Sequence, residues 1–247
     1  MIPALLLLQA TVAAPPVESA EARFERCVDL ATGDPARGEA EASAWRLAGG
    51  GAPARQCLGL AYATSGNYVG AAGAFTEAAH QAEIAADPRA GGYWAQAGNA
   101  WLAAGEATKA RTALDAALAS GTLAGLELGE AQLDHARAAV ATDDLATARA
   151  DLDRAIVNAS ADPLAWLLSA TLARRMGDRP RAEKDIAEAL RLSADDAAVQ
   201  LEAGNIAAVA GDEGRARLGW QKAVQLAPDS PSGVAARAAL AQFDADK

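Results

Sequence analysis

Aromatic residues are scarce in this chain of 247 residues, at 4% of the total, although 51% of its residues are hydrophobic. Trp, Tyr and Phe are too few for a β-sandwich, and no segment alternates strictly between apolar and polar residues. The apolar run at the N-terminus, residues 2–8, is far shorter than the roughly 20 residues that span a bilayer. We therefore expect no stable membrane span, and an Ala-rich stack of thin helical layers rather than one large core.

Positive charge is also in short supply. The 22 Lys and Arg are outnumbered by 32 Asp and Glu, which gives a net charge of −10. Such a surface repels phosphate backbones and anionic lipid headgroups. No basic stripe with interleaved aromatic residues is present, so we expect no nucleic-acid partner.

The residues that usually carry chemistry are few, with two His and two Cys. Cys27 and Cys57 form no C-x-x-C pair, so a zinc site lacks its minimum ligands. His135 falls on the packed face of its predicted helix, which favours a core histidine over a metal ligand or a base. No Ser-His-Asp set and no Gly-rich phosphate loop can be assembled. The sequence thus predicts no metal, no cofactor and no enzymatic activity.

The N-terminus resembles a secretory signal. An apolar run is followed by small residues and then by Pro15-Pro16, although no Lys or Arg precedes the run. Residues 1–14 are therefore predicted to be a signal peptide. The alternative is a frayed apolar terminus or a mis-assigned start site.

One phrase recurs five times in the rest of the chain, with steps of 39, 38, 34 and 34 residues. Each copy reads Ala, three residues, a large apolar residue, two residues, Ala, which places one apolar stripe on a helix. The copies are Ala71-Phe75-Ala78, Ala110-Leu114-Ala117, Ala148-Leu152-Ala155, Ala182-Ile186-Ala189 and Ala216-Trp220-Ala223. A repeat of this length with a helical unit indicates a solenoid.

A second helix pattern lies upstream of each copy, separated from it by a turn residue. The turn residues tolerate the left-handed conformation that ends a helix, and they are Gly66, Gly105, Asp143, Gly177 and Gly211. A small residue in each upstream helix lets the two helices approach closely; these are Gly59, Gly98, Ala136, Ala170 and Gly204.

These patterns resemble the tetratricopeptide repeat family, whose helix-turn-helix unit pairs a Trp/Leu-Gly-Tyr pattern with an Ala-Phe-Ala pattern. The first repeat carries the resemblance through Gly59, Tyr62, Gly66, Tyr68, Ala71, Phe75 and Ala78. The resemblance implies an all-α fold, a right-handed helical solenoid of antiparallel helix pairs. Five such repeats are predicted over residues 52–230, between a degenerate helix pair at 17–48 and a capping helix at 231–243. The third repeat departs most, because it lacks the turn Gly and the aromatic residue.

In this register Cys27 and Cys57 lie on the first helices of neighbouring layers, which pack side by side. The pair is a candidate disulfide if the compartment is oxidising. Two buried thiols that act as small hydrophobic residues are an equal alternative.

The resemblance also implies a concave groove lined by the first helices. Its predicted site combines an apolar row with a polar row whose Asn and Arg side chains suit a peptide backbone or carboxylate. The apolar row is Leu133, Leu167 and Leu201, and the polar row is Asn99, Arg137, Thr171 and Asn205, joined by Arg174 and Arg175. The alternative is that the Leu row packs between repeats.

The sequence therefore predicts a non-catalytic, exported scaffold, periplasmic in a Gram-negative-like cell, that binds a protein or peptide in its groove. One rival is an accessory subunit of an envelope assembly that docks through its convex or edge surface. Others are a cytosolic scaffold and an enzyme of unfamiliar design. The oligomeric state stays open.

Overall fold

A computed structural model describes residues 18–245, and this part of the chain forms thirteen α-helices and no strand. The predicted signal peptide, residues 1–14, lies outside the described residues. Within the described range, none of the helices is both long enough and apolar enough to cross a membrane.

Consecutive helices pack against one another in chain order. The helices are α1 (Ala20–Gly33), α2 (Pro35–Leu47), α3 (Gly51–Thr64), α4 (Tyr68–Ile84), α5 (Ala90–Ala103), α6 (Ala107–Ala119), α7 (Gly125–Ala141), α8 (Leu145–Asn158), α9 (Pro163–Arg175), α10 (Arg179–Leu192), α11 (Ala197–Val209), α12 (Glu213–Leu226) and α13 (Pro231–Ala245). Five antiparallel pairs, from α3/α4 to α11/α12, lie between the α1/α2 pair and α13. The all-α fold, a right-handed helical solenoid, is confirmed.

The repeated Ala phrase supplies the buried face of the even-numbered helices from α4 to α12. None of the Ala and large apolar residues named in its five copies is more than 6% exposed. Each large residue of the phrase packs under the small residue of the preceding helix. At Gly59 an added Cβ would lie 2.5 Å from the Phe75 ring, and at Gly98 it would lie 2.4 Å from Leu114 Cγ. In these two repeats the paired helices are therefore as close as a residue without a side chain allows.

The turns inside the repeats have the backbone conformation that the sequence predicts. All five turn residues have positive φ, from 61° at Asp143 to 79° at Gly66. Asp143 replaces Gly in the third repeat without breaking the pair, because Asp tolerates the left-handed region better than most residues. The third repeat is thus a regular α7/α8 pair.

Acidic N-caps start every helix from α8 to α12. Asp162 accepts a hydrogen bond from the backbone N–H of Leu164, and Pro163 occupies the first turn of α9. This arrangement satisfies one free N–H and uses a residue that has no N–H to lose. Asp144, Asp178, Asp196 and Asp212 cap α8, α10, α11 and α12 in the same way.

The α1/α2 pair is attached to the first repeat through α3. Cys27 of α1 and Cys57 of α3 are joined in a disulfide, and both side chains are fully buried. At the opposite end, Trp220 of α12 packs edge to face on Phe243 of α13.

Candidate functional site

The nine residues of the predicted groove all lie on odd-numbered helices, from α5 to α11. The family resemblance implies that the face formed by α3, α5, α7, α9 and α11 is the concave one, and we call it the odd-helix face. The structure does not bring the nine residues into one site. It divides them among the core, two ion-paired groups and one cleft.

The apolar row belongs mainly to the core, which corrects the groove assignment. Leu133 and Leu167 are only 3% and 9% exposed and pack in the seams between helices. Leu201 is half-buried against the hydrophobic cluster that contains Ala207 and Trp220. The row therefore holds neighbouring repeats together at its first two positions, which is the alternative that the sequence left open.

The first half of the polar row is bound to one acid. Nδ2 of Asn99 donates to Oδ2 of Asp134 at 2.7 Å, and a guanidinium N–H of Arg137 donates to Oδ1 of the same carboxylate at 2.7 Å. Asp134 thereby links α5 to α7 and holds Arg137 in place on the odd-helix face.

The second half of the polar row is bound to another acid. Glu202 of α11 is almost buried and accepts from Nε of Arg174 at 2.6 Å and from Nδ2 of Asn205 at 3.2 Å. The side-chain oxygen of Asn205 accepts from the indole N–H of Trp220 at 3.0 Å. Arg174 and Asn205 are thus structural links between α9, α11 and α12, and both side chains are already hydrogen-bonded within the protein.

A cleft between α7 and α9 gathers the rest of the predicted polar residues. It has a volume of about 150 Å³. Arg137, Thr171 and Arg175 line it, together with the half-buried apolar side chains of Val140 and Leu168. We call this the α7/α9 cleft.

Arg175 is the free charge of the α7/α9 cleft. Its side chain is exposed and has no hydrogen bond or ion pair with any residue in the described range 18–245. Thr171 directs its hydroxyl hydrogen to the Leu167 carbonyl in its own helix. An apolar floor beside an unpaired guanidinium suits an apolar side chain that is followed by a carboxylate.

Sequence reasoning missed the acids that organise this face and the Leu that lines the cleft. Asp134 and Glu202 each stand three residues before a predicted polar residue, Arg137 and Asn205. That spacing puts both members of each pair on one helix face and could have indicated the pairing. Leu168 carries no such signal, because its exposure depends on the distance between α7 and α9.

The buried titratable group of the third repeat is His135, which faces Asp151 of α8. Nδ1 of His135 lies 2.6 Å from the Asp151 carboxylate, and Arg154 binds the other oxygen of that carboxylate. The hydrogen bond to Asp151 raises the pKa of His135. His135 is 5% exposed and does not line the α7/α9 cleft. His135 is therefore a core residue, as the sequence predicts.

Metal-ligating side chains are dispersed in the structure. Over residues 18–245, no three His, Cys, Asp or Glu side chains are grouped so that they could hold a metal ion.

No protein-family model matches the chain, and no curated protein matches it. Solved structures do. PilF of Pseudomonas aeruginosa is similar at a TM-score of 0.71 and 16% identity, over 92% of this chain and 99% of that one. PilW, a type IV pilus biogenesis factor, has a TM-score of 0.71 and 15% identity, over 87% of this chain and 97% of its own. YrrB, a TPR protein with an unusual peptide-binding site, has a TM-score of 0.58 and 18% identity, over 79% and 96%. At these identities the similarity is one of fold.

Proposed function

We propose, from the premise that this chain has the tetratricopeptide repeat fold, that it is a non-catalytic scaffold which binds a peptide segment of a partner protein in the α7/α9 cleft. The observation that carries the proposal is the unpaired Arg175 beside the apolar lining of Val140 and Leu168. A charged group without a partner in a preformed cleft suits ligand recognition, because no internal hydrogen bond or ion pair has to be broken before the ligand binds. The peptide-binding site described for YrrB supports the same use of this fold.

We further propose that the protein is exported to the cell envelope. The Cys27–Cys57 disulfide supports an oxidising compartment, where such bonds persist. The similarity in fold to a type IV pilus biogenesis factor supports the same location.

A second candidate function is docking through an edge of the solenoid. Large apolar residues are strongly exposed where even-numbered helices end: Leu47 is 81%, Ile84 88% and Val157 77% exposed. Because the helices of each pair are antiparallel, these ends lie along one edge of the array. An accessory subunit of a larger assembly would bury such residues.

A pull-down from extract of the source organism separates the two functions. We expect Arg175→Glu combined with Leu168→Gln to abolish capture of the partner. The matched control is Arg191→Glu, which makes the same charge change at an exposed residue of α10. The opposite outcome would favour edge docking over groove binding. In that case the cleft variant would retain the partner, and a variant with Ile84 and Val157 changed to Ser would lose it.

A further inference from the structure

The exposed stripe of α7 changes charge along its length. Glu127, Glu130, Asp134 and Arg137 follow one another at spacings of three, four and three residues, so they lie on one face of the helix. Glu127 and Arg137 are ten residues apart, which is about 15 Å along the helix axis. The acidic part of the stripe and the α7/α9 cleft are therefore close enough for one short peptide to reach both.

The acidic end of the stripe faces a second cleft, between α5 and α7. This space has two adjacent parts of about 240 Å³ and 270 Å³. Both parts are lined by Gln96 and Glu127, and Glu130 lines one of them. We call this the α5/α7 cleft.

A residue that lines the α5/α7 cleft has a buried hydroxyl group without a partner. Tyr93 lines the cleft and is 2% exposed, and its hydroxyl has no hydrogen bond to any described residue. An unsatisfied buried polar atom costs free energy that a bound ligand recovers by supplying a partner. This unpartnered group in a lining residue points to a ligand independently of the acidic residues.

The free charge of the α5/α7 cleft is negative. Glu127 and Glu130 are exposed, and neither makes an ion pair within residues 18–245. The nearby cations are already engaged, because Arg89 is paired with Asp87 at 2.5 Å and Arg137 with Asp134. Glu130 stands in the second turn of α7, where the helix dipole no longer accounts for an acid.

We infer that the odd-helix face recognises a peptide of mixed charge. A Lys or Arg side chain occupies the α5/α7 cleft, near Glu127, Glu130 and Tyr93. An apolar residue next to an Asp or Glu occupies the α7/α9 cleft, beside Arg175. The distance of about 15 Å between Glu127 and Arg137, which lines the α7/α9 cleft, corresponds to about five residues of an extended chain that advances about 3.3 Å per residue. This inference rests on the proposed function and adds the chemical class of the peptide.

Selection from a phage library of random 12-residue peptides on the full chain tests the inference. The peptides selected by the wild-type protein should carry a basic residue four to six positions from an apolar-acidic pair. With Glu127→Lys and Glu130→Lys together, the basic position should become acidic while the apolar-acidic pair is retained. With Arg175→Glu, the acidic residue of the pair should be lost and the basic position retained.

Binding of one selected peptide gives the magnitude. Two exposed ion pairs are worth up to about 2 kcal/mol together, so the double Glu→Lys change should weaken binding by up to about 30-fold, and added salt should reduce that difference. The matched control is Glu21→Lys with Glu25→Lys, which makes the same charge change on exposed residues of α1.

The possible failures are distinguishable. Selected peptides that need Arg175 but carry no preferred basic residue would overturn the inference and leave the proposed function in place. Peptides whose binding is unchanged by Arg175→Glu and by the Glu→Lys pair, or no selected peptides at all, would overturn both.

Discussion

Loss of the Cys27–Cys57 disulfide should loosen the N-terminal helix pair and leave the rest of the solenoid folded. The bond spans 30 residues. In the chain-entropy model, closing that span removes about 12 cal/mol/K from the unfolded state, which is about 3.6 kcal/mol at 25 °C. In a solenoid each unit contacts only its neighbours, and α1 packs only on α2 and α3 to any extent. The loss should therefore be confined to α1 and α2.

Hydrogen exchange measured by mass spectrometry resolves this effect along the chain. After reduction, amides of α1 and α2 should exchange up to about 400-fold faster, while those of α9 to α12 keep their rates. Reduced wild-type protein is the decisive sample, because it keeps both buried sulfur atoms, whereas Cys27→Ala with Cys57→Ala also removes packing. Unchanged exchange in α1 and α2 on reduction would refute the reasoning. So would free thiols at both positions in protein taken from the cell envelope.

Three further predictions concern packing and pH. Leu152→Ala should lower the free energy of unfolding, measured by urea denaturation, by about 2–5 kcal/mol because it leaves a cavity under α7. The control Val157→Ala, at an exposed site on the same helix, should change it by less than about 0.5 kcal/mol. Ala170→Trp should lower the melting temperature, since Ala170 is fully buried where α9 meets α10, and an unchanged melt would contradict the register. The His135–Asp151 pair should stabilise the protein below pH 6.5, and this contribution should be lost as pH rises through the raised pKa of the folded state; melting curves of His135→Leu should lack that pH dependence.

The sequence predicted the fold well because its strongest signals are local. The Ala phrase repeats a buried stripe at helical spacing, and the positive-φ residues that follow the odd-numbered helices mark where each pair turns. Gly59 and Gly98 predicted the close approach within a repeat, since only a small residue leaves room for Phe75 or Leu114. The same signals do not predict the site, because a groove is defined by the space between helices that are 34 or more residues apart in the sequence.

Individual residues show where the sequence stopped being sufficient. Leu133 and Leu167 are one helical position away from the exposed stripe, and the packing of neighbouring repeats put them in the core. The Asp134 carboxylate accepts hydrogen bonds from Asn99 and Arg137, and the Glu202 carboxylate accepts them from Arg174 and Asn205. Arg174 and Arg175 are neighbours of the same residue type, yet of the two only Arg175 has no ion pair with a residue in the described range.

The sequence by itself determined that this chain folds as a helical solenoid, since periodicity, small residues and turn residues act within one repeat. Only the tertiary structure decided which polar side chains remain available on the odd-helix face. Of Arg174 and Arg175, only Arg174 has Glu202 of the next repeat within hydrogen-bond distance, and that distance is set by how the repeats stack.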